Sequence, residues 1–299
     1  MINNIKTQFS IKDVENLSGI KAHTIRIWEK RYTLFEPKRT ETNIRYYTID
    51  DLKKILNVAF LVEKGNKISK ISKLKPEEIR EAIVLETSKS TLSEAYENSI
   101  LVSMLNFDQH QFEIIYNKLT NEFSFREIFN ELFVPLLSKI GLQWQSNTIT
   151  PAHEHFISNL VYQKLLVNIE KVSQNEITES VKVYVLFLPM NEIHELGLLF
   201  INYELNLKGN KTIYLGQSIP FENIAFLNDR FDNIIFISYF TVYPVVDSVE
   251  KYISDFKNVY LKNSNELWVS GRNTLSLSKT TSDKNIKLFK DLNEMIKSL

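Results

Sequence analysis

The spacing of apolar and polar positions changes period twice along the chain and divides it into three stretches. Between residues 10 and 80 the apolar positions form short stripes, Ile11, Val14 and Leu17, then Ile20, Ile25 and Trp28. These predict short helices punctuated by Gly19, Pro37 and Pro76. Residues 88–175 are almost free of glycine, and side chains such as Leu132, Phe133, Leu136, Leu137 and Ile140 recur at three and four, the spacing of a helix bundle. From Val181 the pattern becomes apolar runs alternating with helical stretches: VKVYVLFLP, ELGLLFINYELNLKG, KTIYLG, a helix near 221–227, then NIIFISYF. ELWVSG and NIKLF follow, and a terminal helix opens at Asp291. Buried strands alternating with helices predict a doubly wound parallel sheet.

Composition narrows the setting. At 299 residues and 43% apolar content the chain is long enough for two or three domains, each with its own core. It has no cysteine, which excludes a disulfide framework and thiolate metal sites and suits a reducing compartment. The start lacks a basic segment followed by an apolar run, and no stretch approaches the roughly 20 apolar residues of a membrane span. A soluble, cytoplasmic protein with no membrane partner is expected. The formal net charge is zero, but residues 1–78 hold 16 lysines and arginines against 10 acidic residues, so the basic end is a candidate for meeting a polyanion.

Within that basic end, FSIKDVENLSGIKAHTIRIWEKRY reads as two short helices turning at Gly19, an arrangement that can place the second helix in a DNA major groove. The apolar stripe holds the pair together and leaves His23, Thr24, Arg26, Lys30 and Arg31 for phosphates and base edges. Arg39, Arg45, Tyr46 and Tyr47 lie in a hairpin or wing before another helix. Over about 70 residues the Thr-Ile-Arg helix, Pro-Lys-Arg and Arg-Tyr-Tyr resemble the MerR family of winged-helix transcription regulators. The resemblance implies binding to double-stranded operator DNA through His23, Thr24, Arg26, Lys30, Arg31, Arg39, Arg45 and Tyr46. Where that family has a wing glycine this chain has Asn43, one of the few other residues that tolerate positive φ.

PMNEIHELG follows the first buried run directly. In a doubly wound sheet ligands bind beyond the carboxyl ends of the strands, so His194 in this loop is placed to face one. Glu192 can reach back to hold the second imidazole nitrogen, and Gly197 lets the next helix approach the ligand closely. The segment resembles the acidic-x-His-x-x-Gly signature of cobalamin-binding domains, which implies His194 as the lower axial cobalt ligand. The family's Ser-x-Leu falls on Ser238-Tyr239-Phe240 and its Gly-Gly on Ser270-Gly271. Both match in part, and both wrap the nucleotide tail in that family.

PAHEHFISN places two of the five histidines around a glutamate. Trp144, nine intervening residues and then Glu154-His155 resemble the Trp-x9-Glu-His pattern in the helical cap of CarH/LitR-type photosensory regulators, MerR-headed cobalamin proteins. With that, the resemblance spans essentially the whole chain. It implies that Trp144 packs on the adenosyl group of adenosylcobalamin while Glu154 and His155 contact it; His153 falls outside the pattern and is expected at the surface. The light-sensing members carry a histidine just after the tryptophan, where this chain has Gln145, a far poorer cobalt ligand.

The expected fold is therefore multidomain, mainly α plus α/β. A winged helix-turn-helix occupies residues 1–80, a helical-bundle cap 88–178, and a flavodoxin-like, doubly wound parallel-sheet cobalamin domain 179–299. The expected function is a DNA-binding regulator, a repressor rather than an enzyme, that uses adenosylcobalamin as ligand and light-sensing chromophore. It would act as a homo-oligomer, dimer or tetramer, whose state controls operator binding. One rival keeps the DNA head but senses another ligand or a protein partner, and a second makes the chain a corrinoid-carrying enzyme module.

Overall fold

The structure, a computed structural model, describes residues 8–87, 92–146, 148–173, 182–262, 264–275, 277 and 283–299. The chain forms two compact units, Met1–Val161 and Tyr162–Leu299.

In the first unit, helix α1 (Ile11–Ser18) starts from a capping box between Ser10 and Asp13 and stops at Gly19, whose φ of 74° accommodates the turn. Helix α2 (Ala22–Tyr32) follows, and Val14, Leu17, Ile25 and Trp28 are buried between the elements. The wing is a two-stranded antiparallel pair, β1 (Lys38–Arg39) and β2 (Arg45–Tyr46), with Asn43 at φ 65° in its turn. A second capping box, Thr48 with Asp51, opens α3 (Ile49–Glu63). Two further helices, α4 (Ile68–Ile71) and α5 (Pro76–Thr87), lead to the bundle. Pro76 thus stands at a helix start, where its missing N–H costs nothing.

The bundle comprises α6 (Leu92–Leu105), α7 (Gln109–Glu122), α8 (Phe125–Ile128) and α9 (Val134–Gln145), with a π-helical turn over Phe129–Phe133. Helix α10 (Pro151–Val172) follows. Phe112, Tyr116 and Phe133 stack at centroid distances of 6.3 Å and form its aromatic centre. The DNA head is tied to this bundle: α3 packs on α6, and Asn16 of α1 donates to Thr148 Oγ1, 2.8 Å away, in the link between α9 and α10.

The second unit is a five-stranded parallel sheet. Its strands are β3 (Val183–Pro189), β4 (Lys211–Ile219), β5 (Ile234–Tyr239), β6 (Glu266–Ser270) and β7 (Ile286–Leu288), in the order β4-β3-β5-β6-β7. Every residue of β3 is buried, as a central strand covered on both faces requires. Helices α11 (Leu196–Leu207), α12 (Leu227–Arg230), α13 (Val249–Tyr260) and α14 (Leu292–Ser298) complete it. The apolar pattern read above omits α13, although Val249, Ile253, Phe256 and Tyr260 recur at helical spacing and are buried. The chain runs outward from β3 to β4 and then back to β5 on the other side. The order therefore reverses between β3 and β5, which puts a crevice beyond their carboxyl ends.

Candidate functional site

The loop leaving β3 is organised by one carboxylate. Glu192 is 0% exposed, and its Oε1 accepts from the backbone N–H groups of Ile193 (2.9 Å) and His194 (3.0 Å) and faces His194 Nδ1 at 2.6 Å. Its Oε2 accepts from the N–H groups of Thr241 (3.0 Å), Val242 (2.6 Å) and Tyr243 (2.8 Å), which belong to the loop after β5. Burial pushes this carboxyl up. The hydrogen bonds from the His194 side chain and from the N–H groups of Tyr243, Val242 and His194 outweigh it and hold the group at about 2. The end of β4 joins the set: Ser218 donates its N–H to the Glu192 carbonyl (3.1 Å), and its hydroxyl accepts from Asn191 N–H (3.0 Å).

The His194 side chain is 51% exposed. With Nδ1 directed at Glu192, Nε2 is the nitrogen chemically able to bind a metal. Met190 and Ile193 beside it, and Val242, Tyr243, Val245 and Val246 on the loop that Glu192 holds, are all exposed. They form an apolar deck at the switch point, a surface for a broad apolar ligand. The 241–246 segment was not among the expected site residues; its signal was an apolar run, TVYPVV, in a loop where no core needs it. Among the described residues no three His, Asp or Glu side chains converge as a metal cage, and this loop offers the His194 imidazole. That donor set fits a cobalt already held in a macrocycle.

At the strand ends the geometry is tighter. Ser238 is buried and donates to the Phe187 carbonyl at 2.9 Å. Ser270 is buried, and among the described residues its hydroxyl has no partner. Gly271 has φ 119°, and a Cβ there would run into the Phe240 backbone, so no other residue fits. A Cβ on Gly197 would touch the Tyr239 ring, whose atoms lie 3.4–3.6 Å from that position.

In the first unit Trp144 ends α9 and is 47% exposed, and Glu154 and His155 lie in the first turn of α10. His155 Nδ1 is 3.0 Å from Glu154 Oε2, while Glu154 Oε1 accepts from Ser158 at 2.6 Å. The side chain of Gln145 lies outside the described residues. His153 is not at the surface: it is 1% exposed, its Nδ1 is 2.8 Å from Thr150 Oγ1, and its ring stacks on Phe107 at 4.6 Å. The reason is helical phase, since His153 shares the α10 face of Ile157, Leu160, Val161 and Leu165.

In the DNA head His23, Arg26, Lys30, Arg31, Arg39 and Arg45 are exposed, and Thr24 and Tyr46 half-buried. The arginines differ in what holds them. Arg39 Nη1 donates to Asn43 twice, to its carbonyl (3.1 Å) and its Oδ1 (2.8 Å), and so fastens the wing turn. Arg45 Nε is 3.9 Å from Glu29, which also accepts from the buried Tyr47 hydroxyl.

Residues 9–78 match the family described as MerR HTH family regulatory protein, and residues 96–167 match a B12 binding domain. Over 224 residues the chain is 28% identical to the HTH-type transcriptional repressor CarH of Myxococcus xanthus, covering 73% of each. It is 27% identical over 213 residues to the repressor CarA of the same organism, covering 70% of this chain and 68% of that one. In fold it is similar to the monomethylamine corrinoid protein of Methanosarcina barkeri, with TM-score 0.55 and 11% identity over 66% of this chain and 93% of that one. The chain therefore joins a MerR-type helix-turn-helix segment to a B12-binding segment and is a homologue of the CarH and CarA transcriptional repressors.

Proposed function

We propose that this cobalamin-binding transcriptional regulator is a repressor that binds adenosylcobalamin, holds operator DNA as an oligomer in the dark and releases it in light. The observation that carries the reading is the Glu192–His194 pair at 2.6 Å in the midst of an apolar deck, in a chain headed by a MerR-type segment. His194 presents Nε2 as the lower cobalt ligand, and Glu192 fixes its tautomer and direction. Trp144 packs against the adenosyl group, and Glu154 and His155 contact it. When bound, the cofactor supplies a light-labile cobalt–carbon bond.

One winged head offers few phosphate contacts, so affinity for DNA rests on several heads engaging together, and separating them releases the operator. No catalytic role is assigned to the chain. Among the described residues no helix is long and apolar enough to cross a membrane. The cytoplasm, where a repressor meets its operator DNA, is part of the proposed reading.

The test is reconstitution of the full chain with adenosylcobalamin, followed by sizing and gel shifts in the dark and after green light. A dark oligomer that retards operator DNA, and a smaller species after illumination that does not, is the expected result. Binding of DNA that is indifferent to corrinoid and to light would overturn the reading.

A further inference from the structure

If His194 takes the lower cobalt position, a complete cobalamin must give up its own internal base. That base, with its nucleotide tail, hangs from the same lower face as His194. It must therefore find room beside the strand ends of the second unit or stay in water. Both faces of β5 are already filled there. On one, the Tyr239 ring lies over Gly197 at 3.4–3.6 Å from the position of a Cβ. A planar base inserted between the two would need about 7 Å, van der Waals thickness on each side. On the other, Phe240 is 0% exposed and packs edge-on against Tyr252, 5.5 Å between centroids, while Tyr252 in turn packs on Phe221 at 5.8 Å.

The polar groups beside these rings fare differently. The Ser238 hydroxyl is already spent on the Phe187 carbonyl at 2.9 Å. Ser270 pairs in register with Tyr239 across β5 and β6, so its side chain shares a face with the tyrosine ring. Its buried hydroxyl has no hydrogen-bond partner among the described residues. A buried hydroxyl left unpaired beside an aromatic ring marks a place where a polar ligand group could be held and where Tyr239 now stands.

We propose that Tyr239 is a specificity residue that closes this domain to a buried nucleotide tail. The chain then recognises a corrinoid by its ring and upper ligand and takes tail-less corrinoids at least as well as complete cobalamin. This rests on the reading of His194 as cobalt ligand. A complete cobalamin loses its internal base without compensating burial, whereas a corrinoid without the nucleotide has no base to give up.

The experiment titrates the full chain, in the dark, with aquacobalamin and with diaquacobinamide, following the absorbance change on imidazole coordination. Cobinamide is expected to bind at least as tightly as cobalamin; tighter binding of cobalamin overturns the proposal. Tyr239→Ala opens the space between Gly197 and Ser270 and is expected to shift the ratio of affinities about tenfold toward cobalamin, while Tyr239→Phe keeps the parent ratio. An unchanged ratio in folded Tyr239→Ala removes the residue from this role. Should that variant fail to fold, Tyr239→Leu, which takes away the ring but keeps a core-sized side chain, carries the same comparison. If neither corrinoid shows a spectral change abolished by His194→Ala while circular dichroism shows a folded chain, the corrinoid reading fails, and the proposal with it.

Discussion

The loop that carries His194 and the helix ends that carry Trp144 and His155 hold their chemistry in opposite ways. In the loop, one buried carboxylate gathers five backbone N–H groups and an imidazole from two segments some fifty residues apart, so the ligand's direction is set before anything binds. At the helix ends Trp144 and His155 lie open, and the buried structure runs through the link between them, where Thr148 and Ile149 are covered. The first site is preorganised and rigid, so its ligand costs little ordering. The second is a set of side chains awaiting a surface to cover, whose affinity depends on what covers them.

The largest effect expected from breaking this contrast is at Glu192. Glu192→Ala strands the N–H groups of Thr241, Val242 and Tyr243 and those of Ile193 and His194, and should destabilise the second unit by about 3–5 kcal/mol. Glu192→Gln should do little better, because one of its atoms becomes a donor facing donors. Urea unfolding of both variants against the parent measures this, and a loss under about 1 kcal/mol would show that the carboxylate does not organise the loops.

The same group gives a pH dependence. Its carboxyl is held at about 2, against 4.5 ordinarily, so its contribution is fully present above pH 4.5 and is lost as pH falls through 2. Between those limits the parent should lose about 3 kcal/mol that Glu192→Gln does not lose. Parallel acid unfolding curves for the two proteins would refute that.

How much of this was legible beforehand follows the range of each interaction. The fully buried β3 and the position of His194 after it are local features, and local spacing reveals them. The reach from Glu192 to Thr241–Tyr243 is not, because a carboxylate two residues from a histidine says nothing of a loop 49 residues on. Helix α13 and the buried His153 were written in the periodicity: Val249, Ile253, Phe256 and Tyr260 in one case, His153 with Ile157, Leu160 and Val161 in the other. There a polar or aromatic residue on an apolar stripe concealed the stripe. The Tyr239 ring over Gly197 joins residues from two elements far apart in the chain, and no local spacing carries it.

The next two predictions sharpen the contrast. His194→Ala should cost only about 1 kcal/mol of stability, the hydrogen bond between its half-exposed ring and Glu192, yet weaken corrinoid binding by about tenfold or more and abolish the imidazole-dependent spectrum. Trp144→Ala should likewise spare the fold but act selectively. Affinity for adenosylcobalamin should fall by about tenfold, while affinity for a corrinoid with only water above the cobalt stays near the parent value. Equal losses for both ligands would mean that Trp144 supports the fold or the ring and not the adenosyl group.

The smallest effect separates arginines within the DNA head, where the same contrast between held and open side chains recurs. Arg26 is exposed on α2 with no partner fixing its guanidinium among the described hydrogen bonds and ion pairs, so it can meet a phosphate without giving anything up. Arg39 already donates twice to Asn43 and keeps the wing turn closed. Arg26→Ala should therefore make the slope of log affinity against log salt shallower by about one and weaken binding evenly across sequences. Arg39→Ala should weaken binding by more than that slope change accounts for, because the wing loses its fastening as well as a charge. Arg39→Lys tests the division. It restores the charge, and so the slope, but its ammonium ends one bond short of the Nη1 that makes both contacts with Asn43, so the affinity at fixed salt should stay low. Recovery of full affinity in Arg39→Lys would reduce Arg39 to a phosphate contact like Arg26.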